Sequence, residues 1–432
     1  MKKQLFYLFA LLQLTLLNAQ NHKAIDTADY AERKAFVKEF KTKNDNHVKK
    51  IKERFPGKRG KELAKSHTRF QEFFIKEIED KNYTFKSEFE QYVQDIITEL
   101  RQKNTEIPND LKVLIGKTNI PNAYCLPDGT FVINMGLFNW MDNRDQIASV
   151  IAHELGHKIL EHSLKKQLDN IITNEKNKTE VSLLNEVKYN RTIKAFDVFK
   201  KQIYAKGEIS RKFETESDSL GYILYRKSTF KKADFTNALK NLEKYDTISS
   251  KEVNIATYKK FFSIPEQDFK EKWFQGEDFS AYNYDHYKEK INKDSVSTHP
   301  EIVERIAFLK KQFKELDSDE KAEEADAGFK KMQDIARMEM LPNLFYEEKF
   351  GEGIYLCLQS LQEEKDNLHY KLWLGKCFEK IYEGRKNYKL NHYLDRIEPK
   401  KQSKSYQTFL GFMWNLNLEE IKKIADYYSK NS

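Results

Sequence analysis

The segment His153-Glu154-Leu155-Gly156-His157 constrains this chain more than any other. Residues four apart on an α-helix lie one above the other on the same face. Two imidazoles placed this way can bind one metal ion together, and Glu154, beside the first, can reach a water held by that ion. The flanking residues support a helix. Ala148, Ile151, Ala152, Leu155 and Ile159 form an apolar stripe on the side away from both histidines. Gly156 lies inside this helix, where glycine costs about 1 kcal/mol relative to alanine. A neighbour that needs close approach explains it better than helix propensity does.

Catalytic zinc takes three protein ligands and keeps a fourth position open. The candidate third ligand is Glu214, in Glu214-Thr215-Glu216-Ser217-Asp218 on a separate predicted helix. Asp218 follows one turn later on the same face, placed to accept a hydrogen bond from a ligand histidine and fix its tautomer. Glu216 points elsewhere and reads as structural. The rival readings are ordinary surface residues on two helices and a purely structural metal. The second has no use for Glu154.

The chain has 432 residues, enough for two or three domains. Its hydrophobic share of 39% and charged share of 33% suit a soluble, largely helical protein, and 13% aromatic content argues against wholesale disorder. Lys2 and Lys3, the apolar run Leu5 to Leu17 and Asn18-Ala19-Gln20 read as a secretory signal peptide over residues 1–19. That run is shorter than the roughly 20 residues needed to span hydrocarbon, and no later segment is long and apolar enough. The expected location is therefore periplasmic or secreted, with no transmembrane segment in the mature chain and no nucleic-acid partner. The formal net charge is +8. The basic stretch Lys41 to Lys65 is either a solvated helix face or a contact for an anionic membrane. The three cysteines form no CxxC pair, which excludes a cysteine-rich zinc site. Cys357 and Cys377 fall on neighbouring predicted helices and leave a disulfide open; Cys125 then reads as a buried thiol.

Residues 28–104 read as helical with an interruption at Pro56-Gly57. Leu111 to Gly116 reads as a strand, and Asn122 to Leu126 with Thr130 to Asn134 as a hairpin about Pro127-Asp128-Gly129. A helix begins near Asp145 and runs past Glu161. Helical spacing continues over 163–206, and a further helix covers Ser210 to Lys227. Residues 246–297 are rich in Phe, Tyr and Trp. A helix carrying Val303, Ile306 and Leu309 follows His299-Pro300, and residues 314–327 read as a charged linker or a solvated helix end. Alternating helical segments follow, in which Leu374-Gly375 and Phe378 are loosely tetratricopeptide-like without a clean repeat period. The expected domains are a metallopeptidase domain over 20–313, with a helical part 28–104 and a core 105–313, and an α-helical domain over 328–432. The expected class is α+β, mostly helical, with a small antiparallel sheet.

Several motifs together resemble a known family. His153 to His157 resembles the HE(L/I)GH core of the gluzincin zinc metallopeptidases of metallopeptidase family forty-eight, the HtpX, CAAX prenyl endopeptidase and BepA type. Asn122 to Gly129 resembles that family's strand-turn segment, and Val132 to Leu137 the strand and turn that follow. Glu214 to Asp218 resembles its ExEAD motif, with Ser217 in place of the usual Ala. Ser297-Thr298-His299-Pro300, with Arg305 beyond, resembles its late STHP…R segment. The resemblance covers roughly residues 70–312. It implies a zincin-like fold, one Zn2+ per chain held by His153, His157 and Glu214, and a supporting role for Asp218 behind the ligands. It also implies that His299 can reach the metal as a reversible plug or a transition-state donor. The alternative for His299 is a histidine that merely opens a helix.

The expected activity is hydrolysis of peptide bonds in protein or peptide substrates, with Glu154 as general base and proton donor to the leaving amine. The side chain that assists the oxyanion is not readable; His299 and Tyr222 are candidates. The strand Thr130 to Asn134, with Thr130, Val132 and Asn134, is expected at a sheet edge where an extended substrate could add. That would suit unfolded or misassembled envelope and outer-membrane proteins. The competing class is a non-proteolytic or self-inhibited chaperone or assembly factor that binds protein clients through its C-terminal helices.

Overall fold

The computed structural model describes residues 24–25, 28–184, 191–247, 251–275, 301–318, 321–398 and 402–430. The fold is α+β and mostly helical, with one four-stranded sheet. The chain divides into two compact units. Among described residues, the first holds 28–245 and 301–334, and the second holds 24–25, 246–247, 251–275 and 335–430.

The first unit opens with α1 (Tyr30–Arg54) and α2 (Lys58–Glu79), separated at the expected Pro56-Gly57 break. Along α2, Leu63, Ala64, Phe74, Ile75 and Ile78 turn inward as a helical stripe. The short strand β1 (Tyr83–Thr84) and α3 (Glu88–Gln102) follow. Strands β2 (Lys112–Gly116), β3 (Ala123–Cys125) and β4 (Thr130–Asn134) complete a sheet of order β1-β2-β4-β3. The hairpin expected about Pro127-Asp128-Gly129 forms, with Tyr124 opposite Val132.

The sheet is mixed rather than antiparallel, because β2 and β4 run parallel from Lys112↔Thr130 to Gly116↔Asn134. This overturns the placement of β4. It is an internal strand whose five residues are all buried, including Thr130, Val132 and Asn134. A strand covered on both faces reads as a continuous apolar run rather than an alternating one. Phe131, Val132 and Ile133 are that signal. The edge belongs to β3.

Beyond the sheet come α4 (Met135–Trp140), α5 (Arg144–Ile159), α6 (His162–Leu184), α7 (Arg191–Tyr225), α8 (Lys232–Thr247) and, in the second unit, α9 (Ile255–Phe262). The expected helix past Glu161 in fact stops. Glu161 takes a positive φ of 54°, and a new helix starts at His162. The two segments expected over 163–206 and 210–227 regroup, since α7 runs unbroken through Glu214 to Tyr225.

Helix α10 (Ile302–Gln312) returns the chain to the first unit. The stretch read as a solvated linker is stitched into it. Glu323 donates its amide to Asp234 at 2.7 Å, and its carbonyl accepts from the Asn143 side chain at 2.8 Å. Side chains add to this, with Glu323 paired to Lys231 at 3.0 Å and Glu315 to Arg226 at 3.1 Å.

The division into units is not the contiguous one suggested by the sequence. The described part of the aromatic stretch, with α9 and a one-turn 3-10 helix (Glu271–Phe274), belongs with the C-terminal helices. These are the end of α11 (Ala327–Tyr346), α12 (Phe350–Glu363), α13 (Leu368–Lys386), α14 (Leu390–Tyr393), α15 (Lys404–Asn415) and α16 (Leu418–Lys430). Tyr258, Phe262 and Trp273 are fully buried among Phe378, Phe409 and Phe412. Each such ring contributes roughly 1.5–3 kcal/mol through burial, so these residues follow their side chains rather than their sequence neighbours. Cys357 and Cys377 lie in the same core as free thiols. No helix among the described residues is long and apolar enough to cross a membrane.

Candidate metal centre

Helix α5 is fixed at both ends. Asn143 caps it by accepting a hydrogen bond from the Gln146 amide at 2.9 Å, a contact that typically contributes about 1 kcal/mol. Near its other end, Lys158 donates to the Pro127 carbonyl in the β3–β4 turn. Ile147, Ala148, Ile151, Ala152 and Leu155 are fully buried, so the opposite face presents His153, Glu154 and His157.

Helix α7 lies against α5, and two glycines set the spacing. A Cβ on Gly156 would come within 2.9 Å of the Ser217 carbonyl oxygen, and one on Gly221 within 2.9 Å of the His153 Cα. Real Cβ atoms do not approach a backbone so closely, so only glycine fits at both positions. The close approach that Gly156 suggests is thus one half of a reciprocal contact.

This contact brings Glu214 to the two histidines. His153 Nε2 and His157 Nε2 each lie 3.4 Å from a Glu214 carboxylate oxygen and 3.1 Å from one another. One ligand atom from each residue falls within 4.8 Å of the others. Behind them, Asp218 Oδ1 sits 2.9 Å from His153 Nδ1. Asp218 is held in turn by Arg305 of α10, whose Nε and Nη2 reach its two oxygens at 2.8 and 2.7 Å. Such a bidentate pair is among the stronger charge-assisted contacts. His162, at the start of α6, places Nδ1 3.0 Å from His157 Nδ1.

These contacts test whether a metal fits. Both Nδ1 atoms face partners, so both Nε2 lone pairs point at the same spot, beside a carboxylate. Two lone pairs 3.1 Å apart repel unless a cation lies between them. Two imidazoles and a carboxylate make the donor set of a catalytic zinc site, in which a fourth position is kept for water or substrate. With a proton as the only cation, His153 is affected most. Burial opposes its charge, but Asp218 and Glu214 prevail and push its pKa up to about 10. Burial also favours the neutral form of Asp218, yet the Arg305 guanidinium overrides it and holds the carboxyl at about 2. Glu154 is raised, chiefly by burial, as suits a base near its working range.

Other expectations fare differently. Tyr222 is fully buried, with its ring centroid 5.3 Å from Phe235 and 4.6 Å from Phe313, so it is a core residue. The edge expected at Thr130, Val132 and Asn134 belongs to β3, which packs on α5. His299 and the signal-peptide residues 1–19 lie outside the described residues. Arg305 and His162 received no role from the residues alone, and Glu216 only a structural one. Arg305 has one sequence signal, its place after the His-Pro pair. His162 was hidden by the assumption of one continuous helix, in which it would lie about 140° around from His157. The break at Glu161 swings it back.

Residues 87–312 match the model of peptidase family M48, more than half of the chain. The chain is also similar to the mitochondrial metalloendopeptidase OMA1 of Arabidopsis thaliana, at 29% identity over 113 residues, covering 26% of this chain and 22% of that protein. The mitochondrial metalloendopeptidase OMA1 of Saccharomyces cerevisiae is 27% identical over 175 residues, covering 34% of this chain and 48% of that protein. The matches thus span less than half the length of either relative.

Proposed function

The chain belongs to peptidase family M48, and from that premise we propose that it is a zinc-dependent endopeptidase exported from the cytoplasm to act on unfolded or misassembled envelope proteins. The observation that carries the catalytic part is the convergence of His153, His157 and Glu214, with Glu154 beside them on the same helix. Zinc held there would polarise a substrate carbonyl and acidify a water. Glu154 takes the proton of the attacking water and returns it to the leaving amine. Asp218 keeps His153 facing inward, and Arg305 partly balances the charge of the three carboxylates. The edge strand β3, beside α5, is where an extended peptide would add by main-chain hydrogen bonds. Export rests on Lys2, Lys3 and the Leu5–Leu17 run.

The test uses the mature chain and its Glu154→Gln variant, assayed for bound zinc and for cleavage of unfolded casein with and without chelator. The expected result is one zinc per chain in both, with chelator-sensitive cleavage only in the unmodified protein. Zinc without cleavage in either would favour a client-binding factor with a blocked site. Absence of zinc would overturn the reading.

A further inference from the structure

We propose that His162 is a positioning residue of this centre: it holds His157 in the tautomer and ring plane that aim Nε2 at the metal, and Glu216 fixes His162 in turn. The inference rests on the reading of His153, His157 and Glu214 as metal ligands.

The position of His162 is built rather than incidental. It is 3% exposed, and its ring stacks on Phe213 of α7 at 4.3 Å between centroids with planes 10° apart. Nδ1 lies 3.0 Å from His157 Nδ1, and Nε2 lies 3.0 Å from Glu216 Oε2. The Ser217 hydroxyl lies 3.1 Å from His162 Nδ1 and closes that side.

Proton bookkeeping leaves one arrangement. A ligating His157 has no proton on Nε2, so its single proton is on Nδ1 and donates to His162 Nδ1. His162 therefore carries its own proton on Nε2, which donates to the Glu216 carboxylate, an acceptor only. The series runs from carboxylate through two imidazoles to the metal. It is one imidazole longer than the Asp218–His153 pair on the other ligand. With His162 turned to its other tautomer, two N–H groups would meet at 3.0 Å, and His157 would have to release its metal-facing geometry. Partners behind a ligand histidine typically account for about 10–100-fold in metal affinity. The two glycine contacts fix the backbone of α5, so ring orientation is the freedom left to His157, and His162 removes it.

The experiment measures Zn2+ affinity of the full chain by competition with a chromophoric chelator, together with the melting temperature of the chelator-treated protein. His162→Phe keeps a ring for Phe213 but no acceptor; His162→Asn keeps an acceptor near the Nδ1 position. The expected result is zinc affinity weaker by about 10–100-fold in His162→Phe and within about threefold of the unmodified chain in His162→Asn, with similar metal-free melting temperatures. Glu216→Gln should fall between them, because Glu216 is 39% exposed and solvent screens it. Undiminished affinity in His162→Phe overturns the proposal. So does equal weakening in both His162 variants with a lowered metal-free melting temperature, which marks a merely structural role. If the unmodified chain binds no zinc, the ligand reading itself falls, and this inference with it.

Discussion

The two units place polar atoms in opposite ways. In the first, charged and polar side chains are buried where the helices meet: Glu214, Ser217 and Asp218 on α7, His162 on α6, and Gln146 and Asp145 on α5. In the second, the core is a field of rings and aliphatics around Tyr258, Phe262, Trp273, Phe378 and Phe412. Its buried carboxylates among the described residues are Glu339 and Glu420. Burying a polar group costs free energy unless it is paired, so the first unit gives up packing stability to hold a preorganised donor set. The second unit is stabilised by area. Function therefore concentrates where the interior is least oily, and a substitution should be read against the unit that holds it.

Four measurements test that contrast, in decreasing order of expected effect. Glu154→Gln removes a base and leaves shape alone, so casein hydrolysis should drop by about 10²–10⁴-fold with zinc content retained. Loss of zinc in that variant would mean that Glu154 also holds the site together. Phe412→Ala opens the aromatic core, and truncations of this kind cost about 3–5 kcal/mol. Urea unfolding should show the second unit weakened while zinc affinity holds, and parallel loss of zinc would erase the distinction between the units. Gly221→Ala gains about 1 kcal/mol of helix propensity but forces a methyl against the His153 backbone. A net loss of about 1–3 kcal/mol, the usual cost of overpacking, is expected in thermal melting, together with weaker zinc binding. A gain in stability would show that the helix contact can relax.

The smallest effect is a pH slope. His67 of α2 is 2% exposed and packs edge-on to His47 of α1 at 4.8 Å. Burial, then the neighbouring His47, lowers its pKa from the ordinary 6.5 to about 4. Between those values the unfolded chain binds more protons than the folded one. Stability of the first unit is thus fully present above about pH 6.5 and is lost as pH falls toward 4, at no more than about 1.4 kcal/mol per pH unit. His67→Leu should flatten the slope in this window; an unchanged slope would assign it to other groups.

The sequence made local facts legible and relational ones obscure. His153 and His157 could be read because i,i+4 spacing is itself geometry, and Glu214 with Asp218 because they repeat that spacing on one helix. The order β1-β2-β4-β3 could not be read, since nothing within Thr130–Asn134 states that its second neighbour is β2. The membership of Tyr258 and Trp273 was obscure for the same reason. Periodicity tells which face is apolar, not which core it joins. His162 was missed because one residue, Glu161, leaves the helical region of φ and ψ.

The reciprocal glycine contact has a mechanical consequence. Where side chains separate two helices, the gap is compliant, because rotamers can change and let the helices slide. Here main chain meets main chain at Gly156 and at Gly221, so the distance between the two histidines and Glu214 is set by incompressible atomic radii, like the jaws of a gauge screwed shut. A signal that switched this centre by prying α5 from α7 would have to break both contacts at once. Control is left to groups that reach the ligands without moving either helix.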